Sequence, residues 1–316
     1  MAPMALDILS IVHCNVNCSN LERSLAFYRD FVGLQPTAHT HPPLQDGTEF
    51  GMPGEVQWDA WMMADGRGPQ GTVIDLLEWK QPRPEGTPYQ AANHLGMFRI
   101  CLLAPDVTAL HQRALALGIP CLSPPVEVPI RSEHAESVRA LFTRDPDGTL
   151  VEFIEQPGID APHLIHVNVN CSDLLASQAW YERVLGFEAR GGSAPGPISG
   201  EAFGFEGECD YEASFLFASG GDFAIDLLEW KQPRPIGAPY AQANHLGIYR
   251  MAFLVEDAAA SCDELRGLGV ECSDPVFLDM GPDIPVDGVW AVFFPDPDGT
   301  CLELIQAPTV ADEVHP

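Results

Sequence analysis

The residues able to do chemistry come in pairs along this 316-residue chain. Asp75, Arg99, Asp145 and Glu152 recur 151 positions later as Asp226, Arg250, Asp296 and Glu303, and His13 recurs after 153 as His166. A histidine beside a carboxylate can take up a proton as a general base, and an arginine can hold a carboxylate, phosphate or enolate. The arginine also limits the chemistry. It keeps its proton and has no lone pair to give, so it cannot ligate a cation. His13 taken alone is also readable as a core histidine bonded to backbone.

The elements that must position these residues repeat with them. The decapeptide DLLEWKQPRP stands at residues 75–84 and, letter for letter, at 226–235. The stretch ILSIVHCNVNCSNLERSLAFYRDFVGL predicts a strand, a Ser/Asn turn able to cap a helix, an amphipathic helix and a glycine stop. Strands follow near 56–63 and 72–78. MFRICLLAPDVTALHQRALALGI repeats strand, helix and glycine stop, and the turn DPDG then joins strands near 138–144 and 149–155. The unit is βαβββ, used four times, so the fold class is α+β. The domains are 1–157 and 158–316, joined at EQPGIDAPH, where Pro and Gly mark a linker.

A tandem βαβββ pair with histidine on its first strand, a Phe-Tyr pair in its helix and DPDG leading into its last strand resembles the vicinal oxygen chelate superfamily. That group includes glyoxalase I, extradiol dioxygenases and bleomycin-resistance proteins. The resemblance implies two half-barrel domains, each with one ligand from the first and one from the last strand of each of two modules. Transferred to this chain, the first half supplies His13, Asp75, Arg99 and Glu152, and the second His166, Asp226, Arg250 and Glu303. The glycine ending each helix checks the third position. His13 and His166 lie 20 residues before Gly33 and Gly186, Arg99 and Arg250 lie 19 before Gly118 and Gly269, and His94 lies 24 before. Arginine therefore takes the place of the family's second histidine.

Two readings of that substitution stay open. In one, an old metal site has become a salt-bridge cluster or a metal-free acid–base site. In the other, one divalent metal per domain (Fe, Mn, Ni, Co or Zn) survives on His13, Asp75 and Glu152, and on His166, Asp226 and Glu303, with the arginines turned to substrate. The resemblance implies a small-molecule lyase, isomerase or dioxygenase with His13, Arg99, His166 and Arg250 as catalytic candidates, or a non-catalytic drug-binding protein. Short family members dimerise, so the chain is expected to act as its own pseudo-dimer or as a homodimer.

After each decapeptide runs a proline-stiffened strap (Pro82, Pro84 and Pro88 in the first copy) carrying an indole, a phenol and cations. It can line the cleft mouth, with Trp58, Trp79, Tyr89, Trp230 and Tyr240 against ligand, or only brace the modules. Trp58 and Trp61 are matched with Tyr211 and Phe215. The loops at 35–60 and 189–212 have diverged while the decapeptide that opens the strap has not.

The composition narrows the partners. A balance of 45 acidic against 16 basic residues gives a formal charge of −29, which repels nucleic-acid backbones and anionic lipid. No apolar run reaches membrane-span length and the N-terminal stretch lacks the pattern of a secretory signal, so the expected compartment is the cytoplasm. The nine cysteines form no CxxC pair, and Cys14, Cys18, Cys101, Cys171 and Cys301 are expected as small core residues.

Overall fold

The computed structural model describes residues 5–67, 71–130 and 136–306. Its order is βαβββ four times over. The first module runs β1 (Ser10–Asn17), α1 (Leu21–Ala26, continued by a π-helical turn over Phe27–Val32), β2 (Gln35–Thr40), a two-residue β3 (Gln45–Asp46), β4 (Glu55–Ala64) and β5 (Val73–Gln81). The second has β6 (Gly96–Ala104), α2 (Val107–Leu117), β7 (Val126–Pro129), β8 (Ser137–Arg144) and β9 (Leu150–Glu155). The third has β10 (His163–Asn170), α3 (Leu174–Leu185), β11 (Glu188–Ser193), a two-residue β12 (Ile198–Ser199), β13 (Glu208–Phe217) and β14 (Ala224–Gln232). The fourth has β15 (Gly247–Leu254), α4 (Ala258–Gly267), β16 (Val276–Asp279), β17 (Gly288–Pro295) and β18 (Cys301–Gln306). The stretch expected as a loop over 35–60 holds β2, β3 and a 3-10 turn (Thr48–Phe50).

Local chemistry sets the helix ends. Asn20, Asp106, Asp173 and Asp257 each accept a backbone N–H one turn into their helices, satisfying donors that would otherwise be orphaned. Gly33, Gly118 and Gly186 close the first three in the left-handed region that favours glycine.

The strands form two nine-stranded sheets, ordered β16-β17-β18-β15-β1-β5-β4-β2 and β11-β13-β14-β10-β6-β9-β8-β7, with β3 on β4 and β12 on β13. Each half-barrel is thus shared between the halves. Modules one and four make the first sheet through the antiparallel β1–β15 pair, and modules two and three make the second through β10–β6. The main core packs the outward faces of both sheets against the helices, with Tyr28, Ile74, Phe153, Val167, Tyr181, Ile225 and Phe253 buried in it. No helix among the described residues is long and apolar enough to cross a membrane.

The straps explain why the chain changes sheets. The segments 82–95 and 233–246 each leave the last strand of one module and enter the first strand of the next, which lies in the other sheet, so they cross as a pair. Where they meet, His94, Tyr89, Tyr240 and His245 form one stack, with ring centroids 4.0, 3.9 and 4.0 Å apart. Asn17 donates to the carbonyls of Ala243 and His245 at 2.7 and 2.8 Å, and Asn170 does the same to Ala92 and His94 at 2.7 Å each. The strap is a brace between the halves.

The stack is not symmetric in its hydrogen bonds. The Tyr89 N–H donates to Tyr240 Oη at 2.8 Å, whereas Tyr89 Oη is buried without a partner. Removing a used hydroxyl orphans a buried donor, while removing an unused one orphans nothing. Tyr240→Phe is expected to cost about 1–3 kcal/mol and Tyr89→Phe to be near neutral, read from urea unfolding midpoints; equal losses would show that the hydrogen bond contributes nothing.

Candidate functional site

Each concave face ends in a floor of four charged or titratable side chains drawn from both halves. In the first, β1 supplies His13, β5 Asp75, β15 Arg250 and β18 Glu303; in the second, β10 supplies His166, β14 Asp226, β6 Arg99 and β9 Glu152. The grouping by halves is therefore corrected. Asp75 meets Arg250, not Arg99, because the strap carries β6 into the other sheet.

The geometry of the two floors is nearly the same. Arg250 donates from Nε to Glu303 Oε2 at 2.8 Å and from Nη2 to Asp75 Oδ2 at 2.9 Å. Arg99 donates to Glu152 at 2.6 Å and Asp226 at 2.8 Å. His13 Nε2 stands 3.5 Å from Glu303 Oε2 and 3.9 Å from Asp75 Oδ2, and His166 Nε2 stands 3.6 and 3.9 Å from Glu152 and Asp226. Asn15 and Asn168 donate to Asp75 Oδ2 and Asp226 Oδ2 at 3.1 and 3.3 Å. Every one of these residues is buried. Six side-chain atoms in this polar layer have no hydrogen-bond partner: Nε2 of His13 and His166, Nη1 of Arg250 and Arg99, and Oδ1 of Asn15 and Asn168.

Charge pairing lowers the pKa of the two floor glutamates. Burial alone would raise Glu152, but the Arg99 charge and the His166 contact outweigh it and hold the carboxyl at about 2. Glu303 is likewise lowered by Arg250 and His13 against the pull of burial. For Arg99 and Arg250 burial works to lower the pKa, and the paired carboxylates reverse this and raise it. Each guanidinium is a permanent cation held between two carboxyl groups.

The decapeptide has the same tasks in both copies. Its aspartate joins the floor. Glu78 and Glu229 accept the backbone N–H of Leu21 and Leu174 at the helix starts, at 2.9 and 3.0 Å. Lys80 and Arg83, and Lys231 and Arg234, pair with those same glutamates. Trp79 and Trp230 donate from Nε1 to Asn17 and Asn170 at 3.1 and 3.2 Å. Sequence reasoning overlooked Asn15, Asn17, Asn168, Asn170 and the two glutamates. The signal for the asparagines was the shared NVNCS of HCNVNCS and HVNVNCS, polar residues alternating inside an apolar strand, and the glutamates stand in the repeated decapeptide.

The two clefts differ above the floor. The first holds a cavity of about 20 Å³, walled by Phe50, Trp58, Met62, Trp79, Leu278 and Ile305 and reaching His13, Asp75, Arg250 and Glu303. In the second, Phe215 lies over His166, ring centroids 5.7 Å apart, and Phe203, Tyr211 and Trp230 pack edge to face. Cross-strand partners give the true correspondence. Phe215 and Met62 both face the floor aspartate of the neighbouring strand, so Phe215 matches Met62, not Trp61. Trp61 stacks on His39 at 4.5 Å instead. Trp58 and Trp79 line the first cavity, Trp230 belongs to the aromatic cluster of the second face, and Tyr89 and Tyr240 stand in the strap stack.

The family model described as Glyoxalase/Bleomycin resistance protein/Dioxygenase superfamily matches residues 10–153 and 163–304. The chain belongs to that superfamily. Glyoxalase I from Zea mays is similar over 94% of this chain and 92% of its own, at 17% identity and a TM-score of 0.64. A putative dioxygenase from Bacillus subtilis is similar over 96% and 87%, at 15% identity and 0.59. At these identities the likeness shows the shared fold. No curated protein matches the sequence significantly.

The superfamily's metal does not fit these floors. In each, the two carboxylates that would ligate already accept the guanidinium, which adds a positive charge where a divalent ion would sit. Cys101, Glu152 and His166 lie within 4.8 Å of one another. Burial first, and the Glu152 charge second, push the Cys101 thiol well above its ordinary value, so it keeps the proton a metal would have to displace.

Arg99→Met leaves Glu152 and Asp226 buried without their cation and is expected to cost about 3–5 kcal/mol at pH 7. The folded Glu152 pKa of about 2 lies below its ordinary 4.5. Its stabilisation is thus full above about 4.5 and lost as pH falls towards 2. In the variant the uncompensated acid is relieved by protonation, so its deficit shrinks between pH 7 and 5 in urea titrations. A deficit independent of pH would show that Arg99 does not hold the carboxylate.

Proposed function

We propose that the chain is a small-molecule enzyme of isomerase or lyase type that moves a proton at the carbon beside a carbonyl, working in the first cleft without a metal. The observation that carries this is the pair of unpartnered polar atoms, His13 Nε2 and Arg250 Nη1, at the floor of a cavity with apolar and aromatic walls. Buried polar atoms without partners are costly. A carbonyl or hydroxyl oxygen of a bound molecule satisfies the arginine, and the imidazole then faces the adjacent C–H.

In this reading His13 takes the proton as general base. Glu303 and Asp75, within 3.5 and 3.9 Å, stabilise the imidazolium that forms. Arg250 Nη1 donates to the enolate oxygen as charge develops there, and its other two contacts keep the guanidinium from following the ligand. With one cation against two acids the floor does not attract anions, so the substrate is neutral and largely apolar. Trp58 and Trp79 offer it flat surfaces. The cavity has room for about one water, so a ligand enters by displacing Phe50, which sits on the short 3-10 turn above Trp58 and Trp79. One chain supplies four modules, and the protein works as its own pseudo-dimer inside the cell.

Deuterium exchange from solvent into a panel of neutral aryl and alkyl ketones, followed by NMR, tests this. Exchange is expected with wild type, to fall about 10²-fold or more in His13→Gln, and to be lost in Met62→Phe, which gives the first cleft the covering ring of the second. Tight ketone binding with no exchange in any variant would replace the enzyme by a drug-binding protein. No binding at all would reject the cleft.

A further inference from the structure

The first sheet curls until its two edges, β2 and β16, meet, and the seam carries a second cluster. Gln45 donates to the Asp279 carbonyl at 3.0 Å and accepts the Asp279 N–H at 3.2 Å, tying the edges together. Gly281, at φ +88°, brings the chain so near that a Cβ there would lie 2.8 Å from the His41 carbonyl oxygen. Beside this contact His39 and His41, two residues apart and so on one side of the chain, stack with ring centroids 4.6 Å apart. Asp283 reaches them from the β16–β17 connection. Its Oδ2 lies 3.1 Å from His39 Nδ1 and 3.7 Å from His41 Nδ1.

We propose that His39, His41 and Asp283 bind a divalent transition metal ion of the zinc type, which rivets the seam of the first half-barrel. The three ligand atoms lie within 4.8 Å of one another. Metal bonds of about 2.0–2.2 Å in tetrahedral geometry set ligand atoms roughly 3.3–3.6 Å apart, and the two distances from Asp283 bracket that. His41 Nδ1 is buried and has no hydrogen-bond partner. His39 Nε2 stands 2.8 Å from Asp59 Oδ1. When that nitrogen carries the proton, Nδ1 is left with its lone pair towards Asp283, the carboxylate–histidine–metal arrangement of zinc sites. The fourth position is left to water. The charge of −29 favours cation capture.

This site is separate from the floors, where a guanidinium holds the cation position, and it belongs to the first half-barrel alone. At the positions matching His39 and His41 the second half has Gly192 and Ala194, which offer no ligand. Asp59, which also faces Lys80 at 3.5 Å, acts as a positioning residue.

Calorimetric titration of the metal-free full chain with Zn²⁺ tests the proposal. One equivalent is expected to bind. His41→Ala and Asp283→Asn should weaken binding at least about 10²-fold, and Asp59→Asn about 10- to 100-fold. His13→Gln should bind zinc as wild type does, which separates the seam from the cleft floor. Zinc should raise the Tm of wild type and not that of His41→Ala, while the metal-free melting curves of the two coincide. Absence of zinc binding at millimolar concentration, or binding that survives both His41→Ala and Asp283→Asn, would overturn it.

Discussion

A guanidinium buried between two carboxylates fixes more of this molecule than any other contact. Neither the arginine nor the acids can be left alone in a dry floor, because an uncompensated buried charge costs several kcal/mol. The pairing Arg250–Asp75–Glu303 demands strands from modules one and four, and Arg99–Asp226–Glu152 demands modules two and three. In this fold both sheets close by exchange between the halves. The straps, the asparagine clamps and the stacked tyrosines are the means by which the chain makes that exchange.

The identical decapeptide serves both that exchange and its own module. Its aspartate binds a floor arginine of the other half, whereas its glutamate caps a helix start within the module, the lysine and arginine pair with that glutamate, and the indole donates to an asparagine that also grips the other strap. On the cleft walls Met62 in one half and Phe215 in the other fill matching places, and only the second cleft has a ring lying over its floor histidine.

Module order, helix ends and the arginine position were legible in the sequence because each rests on local signals: alternation, Asn or Asp caps, and a left-handed glycine at a constant distance. The exchange was not. Nothing within β1 says whether it will lie against β6 or β15, since both present the same repeated pattern and differ only in where the strap delivers them. The strands inside 35–60 were hidden by Pro, Gly and His residues that weaken an alternating signal. Tyr89 and Tyr240 read as ligand platforms by type, yet their surfaces are spent on each other.

Modules two and three are neighbours along the chain, so every strand of the second half-barrel has been synthesised by residue 232. The first half-barrel pairs the opening module with the closing one, and β1 lacks its β15 neighbour until residues 247–254 are made. Synthesis thus delivers the aromatic-filled cleft before the cleft with the cavity, and β1 keeps an unpaired edge until β15 is made. The half-barrel finished first can serve as the template on which the other closes.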